Sequence, residues 1–218
     1  MSLRKGIEIA NERDLSRDKG LNVLEIGCGN WPFARNILMK NNYWWGLDMV
    51  EGISTNKGSI DNIPFFNESF DLVLMNQVLE HIFEYGISFK KAFDEILRVL
   101  KPGGRLIVTV PIGVHGHPIF LSGNLKRIRN LFKKEDWDIT KFEKLIPYGR
   151  VEGWKQIAIS GFWSKLQYPD FLVSKNTKLT GSYILNIHAK KRYWLPKKES
   201  RERSKALIIL RFLKELVC

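Results

Sequence analysis

A glycine turn and a later aspartate are the residues of this sequence best suited to bind a ligand. Leu21 to Ile26 is an apolar run typical of a buried strand, and Gly27-Cys28-Gly29 follows it immediately. A strand, a glycine turn and a helix leave backbone N–H groups free for a ligand, and glycine removes the Cβ atoms that would obstruct it. Asp48 ends the next apolar run, where a carboxylate can accept hydrogen bonds from both hydroxyls of a ribose. Together these features predict an adenosine-type ligand at the carboxyl end of a parallel sheet.

The glycine spacing argues against a dinucleotide. Dinucleotide sites favour Gly-x-Gly-x-x-Gly, in which the third glycine lets the helix pack closely against the strand. The sequence here reads Gly27-Cys28-Gly29-Asn30-Trp31-Pro32, so the third glycine is missing. A ligand without a pyrophosphate, such as S-adenosylmethionine (SAM), relaxes that requirement. It also gives Glu25, just before the turn, a role near the ammonium group of the ligand.

The elements that must position these residues alternate between strand and helix over the first half of the chain. Such alternation implies right-handed crossovers and a mainly parallel sheet that is covered on both faces. Helices are predicted over 32–40 and 89–100, and strands over 43–47, 57–60, 69–75 and 105–110.

The second half of the chain is less regular. Residues 111–150 contain glycine, histidine and proline and then a basic run, which predicts an inserted loop–helix segment rather than sheet. Residues 151–160 are predicted to be helical, and 182–189 to form the last strand. We therefore expect one domain over residues 1–194, followed by a basic amphipathic helix over 195–218.

Five motifs in order over residues 21–112 resemble those of the class I SAM-dependent methyltransferases, in the broad branch with small-molecule and sugar-modifying enzymes. The resemblance implies an α/β fold of three layers, Rossmann-like, with a mostly parallel seven-stranded sheet and an antiparallel last strand. It also implies methyl transfer with SAM as the cofactor. The motifs are Val23–Gly29, Gly46–Asp48, Asp61–Phe65 with Glu68–Val73, Gln77–His81 and Leu97–Gly104.

The resemblance also implies which residues contact the cofactor. An acidic residue usually accepts a hydrogen bond from the adenine amino group, and here that position is Ser59. A hydroxyl accepts more weakly than a carboxylate, which predicts weaker adenine binding unless Asp61 substitutes. The implied cofactor residues are Glu25, Gly27 and Gly29 for the methionine portion, Asp48 for the ribose, Ser59 and Ile60 for adenine, and Asn76 and Gln77 facing the sulfonium and the substrate.

His115 and His117 are the candidate catalytic residues, because they follow the fifth strand on the rim where an acceptor should lie. A hydroxyl acceptor needs a base with a pKa near neutrality, which histidine supplies; the alternative is a solvated loop. For Glu80 and His81 a packing or capping role is favoured over catalysis. No metal site is expected, because two histidines separated by one residue lack a clear third ligand.

Charge and composition limit the partners. The chain has 218 residues and a formal net charge of +12, which permits a nucleic acid or an anionic membrane surface but requires neither. The basic tail over 195–218 fits contact with an anionic surface, and docking on its own domain is equally consistent with the pattern. Two cysteines at distant positions predict no disulfide framework. Without a long apolar run or a signal peptide, we expect a cytoplasmic protein with possible peripheral contact to a membrane.

The predicted function is methyl transfer from SAM to a small-molecule acceptor, with a sugar or another small metabolite hydroxyl favoured on resemblance alone. Two alternatives stay open. The positive charge is consistent with an RNA methyltransferase, although no RNA-reading motif accompanies the tryptophans. Ser59 and the short link over 49–58 are consistent with a methyltransferase-like binding module that has lost catalysis.

Overall fold

A single mixed sheet carries the whole described part of the protein. The computed structural model describes residues 3–30, 33–50, 56–148, 153–158 and 183–193. The strands are β1 (Asn22–Ile26), β2 (Tyr43–Asp48), β3 (Asn56–Lys57), β4 (Phe70–Asn76), β5 (Leu100–Ile112), β6 (Trp137–Tyr148), β7 (Gly153–Ala158) and β8 (Tyr183–Lys191). The helices are α1 (Leu3–Leu15), α2 (Phe33–Leu38), α3 (Phe89–Val99), α4 (Pro118–Leu121) and α5 (Leu125–Arg129), with a 3-10 turn at Ile82–Tyr85.

The strand order is β3-β2-β1-β4-β5-β8-β6-β7. Strands β1 to β5 run parallel, and β8 then pairs antiparallel with β5. The register places Ile26 opposite both Leu47 and Met75, so the carboxyl ends of β1, β2 and β4 lie at one edge. Seven strands have five or more residues, and the two-residue β3 lies at one side of the sheet. The predicted α/β fold with an antiparallel last strand is confirmed.

Alternating side chains of the strands build the core on both faces of the sheet, which gives three layers. On one face, Val23, Leu72 and Leu74 pack with Leu15 of α1 and Leu38 of α2. On the other face, Leu24, Val73, Met75, Leu106 and Val108 pack with Ala92, Phe93 and Ile96 of α3.

The prediction for residues 111–150 is correct only in part. Helices α4 and α5 lie in this segment, but residues 137–148 form the long strand β6 rather than loop or helix. The prediction of a helix over 151–160 is also wrong, because β7 forms there and pairs antiparallel with β6. Strand β6 pairs with β8, and a register shift between Ile139 and Lys141 interrupts the alternation that would have indicated a strand. Tertiary pairing here outweighs local propensity.

Helix α1, for which no prediction was made, is anchored by the buried carboxylate of Asp14. Asp14 accepts hydrogen bonds from Arg13 Nε at 2.6 Å, Lys141 Nζ at 2.8 Å and Asn186 Nδ2 at 3.0 Å, and its Oδ2 lies 2.9 Å from His188 Nε2. Burial alone would raise the pKa of Asp14, but the hydrogen bonds from His188, Arg13 and Lys141 hold that pKa well below its usual range. This cluster ties α1 to β6 and β8.

The longest described helix has 13 residues, and no described helix is long and apolar enough to cross a membrane. The predicted amphipathic helix over 195–218 lies outside the described residues, so the division of the chain at residue 194 stays a prediction.

Candidate functional site

A cavity of about 380 Å³ opens at the carboxyl ends of β1, β2 and β4. This is the edge of a parallel sheet at which α/β proteins bind their ligands. Four of the predicted cofactor residues line it together: Gly27, Asp48, Ile60 and Gln77. His81 lines the same cavity, although the sequence favoured a packing or capping role for it.

Gly27 makes the turn from β1 into the cavity wall. Its φ is +67°, and its N–H donates to the carbonyl oxygen of Leu47 at 2.7 Å. A Cβ at this position would lie 2.3 Å from Cγ2 of Val78, which is far closer than side-chain carbons approach. Both the backbone conformation and the close approach of Val78 therefore require glycine here.

Asp48 is held in place by backbone amides. Its Oδ2 accepts from the N–H of Gly29 at 2.8 Å, and its Oδ1 accepts from the N–H of Val50 at 3.0 Å. Each carboxylate oxygen has lone-pair capacity for a further hydrogen bond, so Asp48 can still accept from ribose hydroxyls in the cavity. Gly29 orients Asp48 through this hydrogen bond, and its contact with the ligand stays a prediction.

Glu25 lies behind the cavity rather than on its wall. The residue is 3% exposed, and Oε2 accepts from Nε1 of Trp44 at 2.9 Å. Burial raises the pKa of Glu25 to about 7, against the opposing effects of hydrogen bonding with Trp44 and Asn76 and of the charge of Arg35. The guanidinium of Arg35 lies over the indole of Trp44, 5.1 Å from its centre. Glu25 is therefore engaged by Trp44 behind the cavity, and its role toward the methionine portion of the cofactor stays a prediction.

Ser59 and Asp61 are paired with each other. The Ser59 hydroxyl donates to Oδ1 of Asp61, and Oδ2 of Asp61 forms an ion pair with Lys91 at 2.8 Å. Hydrogen bonds from Lys91 and Ser59 lower the pKa of Asp61. Gly58 and Ile60 line the cavity, whereas Ser59 does not. Asp61 is thus engaged by Ser59 and by Lys91 of α3, and it is not among the residues that line the cavity.

Asn76 and Gln77 are both fixed by Thr109 of β5. Oδ1 of Asn76 accepts from the Thr109 hydroxyl at 2.8 Å, and the N–H of Gln77 donates to the Thr109 carbonyl at 2.8 Å. Gln77 has a φ of +55°, a conformation that is uncommon for residues other than glycine. Strain of this kind persists where the surroundings hold it, often at functional sites. The strained backbone presents Gln77 to the cavity, while Asn76 does not line it.

The two candidate catalytic histidines lie in different surroundings. The His115 ring stacks on that of His81, with centres 4.9 Å apart. His117 instead caps α4, where its Nδ1 accepts from the N–H of Ile119 at 3.2 Å, and its ring packs edge-on against Phe83 and Phe89. The structure therefore places His115 against His81, which lines the cavity, and gives His117 a capping contact.

The part of the chain that forms the cavity is similar to known methyltransferases. Residues 24–108 match the model of a family described as a methyltransferase domain. A probable S-adenosylmethionine-dependent methyltransferase of Mycolicibacterium smegmatis is 30% identical over 115 residues, which cover 48% of this chain and 43% of the relative. Over this part the chain is similar to a methyltransferase domain, in agreement with the class I SAM-dependent methyltransferase motifs that the sequence resembles.

The similarity to other relatives covers only part of each protein. A phthiotriol/phenolphthiotriol dimycocerosates methyltransferase of Mycobacterium ulcerans is 30% identical over 105 residues, covering 41% of this chain and 37% of the relative. The chain spans about a third to a half of the length of the first curated relatives. A solved SAM-dependent methyltransferase of Thermotoga maritima, described as a possible histamine N-methyltransferase, shares the fold with a TM-score of 0.58 at 18% identity. That alignment covers 87% of this chain and 91% of the other.

The methyltransferase domain match covers β1 to β4 and most of β5, which is the half of the sheet that carries the cavity. SAM is the cofactor of this class. The site fits it, because Gly27 and Gln77 line the cavity and Asp48 keeps acceptor capacity for a ribose. The strands β6 and β8 and the helices α4 and α5 lie beyond the match.

Proposed function

We propose that the protein transfers the methyl group of SAM to a hydroxyl oxygen of a small-molecule acceptor. The observation that carries the proposal is the continuity of one cavity, in which Asp48 and Gly27 lie on the cofactor side and His81 lies toward the rim. His115, stacked on His81, extends the rim. A nucleotide-type site that opens onto imidazole groups is suited to alkylation of a weakly acidic hydroxyl.

Methyl transfer by direct displacement depends on placement more than on covalent help from the protein. When bound, the cofactor supplies a methyl group on a positively charged sulfur. Asp48 would hold its ribose, and Gln77 would stand between it and the acceptor. As the acceptor oxygen bonds to the methyl carbon, the carbon–sulfur bond breaks and the electron pair stays on sulfur. The hydroxyl proton must leave, and His115 is the base in position to accept it.

The rim of the cavity suggests what kind of acceptor fits. Met49, Val50 and Tyr85 line the cavity and are among the exposed large apolar residues of the protein. An acceptor with an apolar part beside its hydroxyl would cover these side chains. The sugar or small metabolite expected from the sequence should therefore carry an apolar group. The named relative that acts on phthiotriol, by its description, is consistent with such an acceptor.

RNA is the second candidate acceptor, and the net charge of +12 is the observation that favours it. Binding of this kind weakens steeply as salt rises, because phosphate contacts release counterions. Retention of RNA on filters at low salt and its loss at high salt would support RNA. No retention at low salt would exclude it.

Contact of the basic segment 195–218 with an anionic membrane surface also belongs to the proposal. Vesicles with and without an anionic lipid test it. The full chain should bind only the anionic vesicles, and a chain ending at Leu195 should not. Equal binding by the two proteins would contradict the proposal.

Calorimetric titration with SAM and with its demethylated product tests the cofactor part of the proposal. We expect saturable binding by the protein and at least a tenfold loss of affinity in Asp48→Ala. Asp94→Ala is the matched control, because Asp94 is an exposed residue of α3 paired with Lys90. It should bind as the unchanged protein does.

Methyl transfer is then measured with labelled SAM and extracted small molecules. A labelled product that needs His115 supports the enzyme. Saturable SAM binding without any labelled product would instead support the catalytically inactive binding module.

A further inference from the structure

Three potential metal ligands meet at the rim of the cavity. One ligand atom from each of Glu80, His81 and His115 lies within 4.8 Å of the other two. Glu80 and His81 follow β4, and His115 follows β5, so the adjacency of these parallel strands brings the two loops together. From the sequence no metal site was expected, because His115 and His117 lacked a clear third ligand; in the structure Glu80 and His81 lie beside His115 instead.

Glu80 is a buried carboxylate without a hydrogen-bond partner or a counter-charge beside it among the described residues. The residue is fully buried, and neither carboxylate oxygen has a hydrogen-bond partner within the residues that the structure describes. Burying an unpaired carboxylate is costly, so buried carboxylates are normally paired, protonated or bound to a metal. A cation beside it would supply the missing counter-charge.

His81 is oriented as metal-bound histidines usually are. Its Nδ1 lies 2.8 Å from Oε1 of Glu84, which leaves Nε2 as the ligand atom. A carboxylate on the far nitrogen fixes the tautomer and orientation of a metal-ligating imidazole. The His115 ring stacks on the His81 ring with centres 4.9 Å apart, so a nitrogen of each ring is available to the same ion.

Main-chain contacts hold the loop after β4 against the loop after β5. The N–H of His117 donates to the carbonyl oxygen of Glu80 at 2.8 Å. Gly116, between the two histidines of the loop, packs so closely on Glu80 that a Cβ would lie 2.7 Å from the Cβ and the carbonyl oxygen of Glu80. The ligands are therefore assembled by main-chain contacts before any ion binds.

We propose that Glu80, His81 and His115 bind a divalent transition-metal ion at the acceptor side of the cavity. Two imidazoles and one carboxylate suit zinc, iron and manganese, and they leave further coordination positions open. Around a zinc ion, ligand atoms are separated by roughly 3.4 Å, as follows from bond lengths near 2.1 Å in a tetrahedron. Modest side-chain rotation from the present separation is sufficient.

The ion would act on the acceptor, and this part of the inference rests on the proposed function. A metal-bound hydroxyl has a lowered pKa, so its proton passes to water and the oxygen attacks the methyl carbon while the carbon–sulfur bond breaks. His115 then serves as a ligand rather than as the base. Met49 and Tyr85 face the same cavity and would contact the apolar part of the acceptor.

The test uses full-length protein without an affinity tag, treated with a chelator and titrated with Co²⁺ and with Zn²⁺ alone. We expect one ion per chain, visible absorption from the cobalt form, and competition by zinc. Glu80→Gln and His115→Asn should each weaken zinc binding at least tenfold. His117→Asn is the matched control, because it alters the same loop and an asparagine can still cap α4; it should bind zinc normally.

Binding of the SAM product by the same variants separates the two proposals. A variant that binds the product normally but has lost zinc is folded and supports the metal site. Zinc binding by the unchanged protein that is weaker than about 1 mM, or that is equal in Glu80→Gln, His115→Asn and His117→Asn, would overturn it. Tight zinc binding with no binding of SAM would leave the metal site standing and contradict the proposed function.

Discussion

Gly116 packs directly on Glu80, and no other residue type fits between the loops that follow β4 and β5. The φ of Gly116 is +91°, and a Cβ would lie 2.7 Å from backbone and side-chain atoms of Glu80. A glycine in the later loop thus positions His115 against the earlier loop. A single methyl group added at Gly116 should therefore disturb the loop that carries His115.

Gly116→Ala should displace the loop and separate His115 from His81. We expect the free energy of unfolding to fall by about 1–3 kcal/mol, as for other overpacked or strained positions, and zinc affinity to fall at least tenfold. Gly20→Ala is the control, because Gly20 has a φ of +69° with nothing within 4 Å of a Cβ. Gly20→Ala shares an unfavourable positive φ with Gly116→Ala but makes no steric contact comparable to that with Glu80. Unchanged zinc affinity in Gly116→Ala would show that the contact does not position the loop.

Gly27→Ala should abolish SAM binding, because its Cβ would meet Val78 at 2.3 Å and push the turn into the cavity. Val78→Ala removes the obstructing carbons, so the double variant should recover part of the affinity. Recovery will stay incomplete, since the φ of +67° remains unfavourable for alanine. Calorimetry on the two single variants and the double variant measures this. If the double variant binds no better than Gly27→Ala, Val78 is not the obstruction.

Glu25→Gln should stabilise the protein in a pH-dependent way. The folded pKa of about 7 lies above the ordinary value of 4.5, so between these values the unfolded chain binds fewer protons and stability falls as pH rises. Removing the charge should raise the free energy of unfolding by up to about 3 kcal/mol above pH 8, and hardly at all below pH of about 4. Denaturant unfolding at pH 4 to 9 measures the difference.

The same variant should bind SAM more weakly, if the Glu25 charge acts on the ammonium group as the resemblance implies. Greater stability together with unchanged SAM affinity would restrict Glu25 to a supporting role behind the cavity. If Glu25→Gln has a lower free energy of unfolding than the unchanged protein at every pH, then burial of the Glu25 charge does not destabilise the fold.

Asp14→Asn should destabilise the fold strongly, by about 3–5 kcal/mol, because Arg13, Lys141 and His188 would lose a buried carboxylate. The lowered folded pKa of Asp14 contributes stability above pH of about 4, which is lost as pH falls further. Acid unfolding of the unchanged protein should therefore be steeper than that of Asp14→Asn. Asp94→Asn, which alters an exposed pair with Lys90, should change stability by less than about 0.5 kcal/mol. Similar losses in the two variants would contradict the anchoring role.

The cofactor side of the fold was predictable because its signals are local. The apolar run ending at Ile26, the turn at Gly27 and the carboxylate of Asp48 each lie within a few residues of the element that positions them. Parallel strands then bring them to one edge by topology. The sheet and the cavity residues therefore followed from short stretches of sequence.

The acceptor side was less predictable because its contacts are distant. Lys141 and Lys144 lie in a strand whose composition resembles a solvated surface, and its pairing with β7 and β8 explains its formation. The approach of His115 to Glu80 depends on β4 lying beside β5, which the spacing of His115 and His117 in the sequence could not indicate. Likewise, apart from Arg13, nothing near Asp14 in the sequence indicates its partners, which come from β6 and β8.

The anchor of α1 also affects the order in which the protein can be completed during synthesis. Lys141, Asn186 and His188 follow Asp14 by 127, 172 and 174 residues. Strand β8, made last among the described strands, inserts between β5 and β6. At ribosomal rates of roughly 5–20 residues per second, the segment from residue 108 to residue 188 takes roughly 4–16 s to emerge. Throughout that interval the nascent chain exposes the edge of β5, and Asp14 lacks its partners in β8, so chaperone binding should be concentrated in this window of translation.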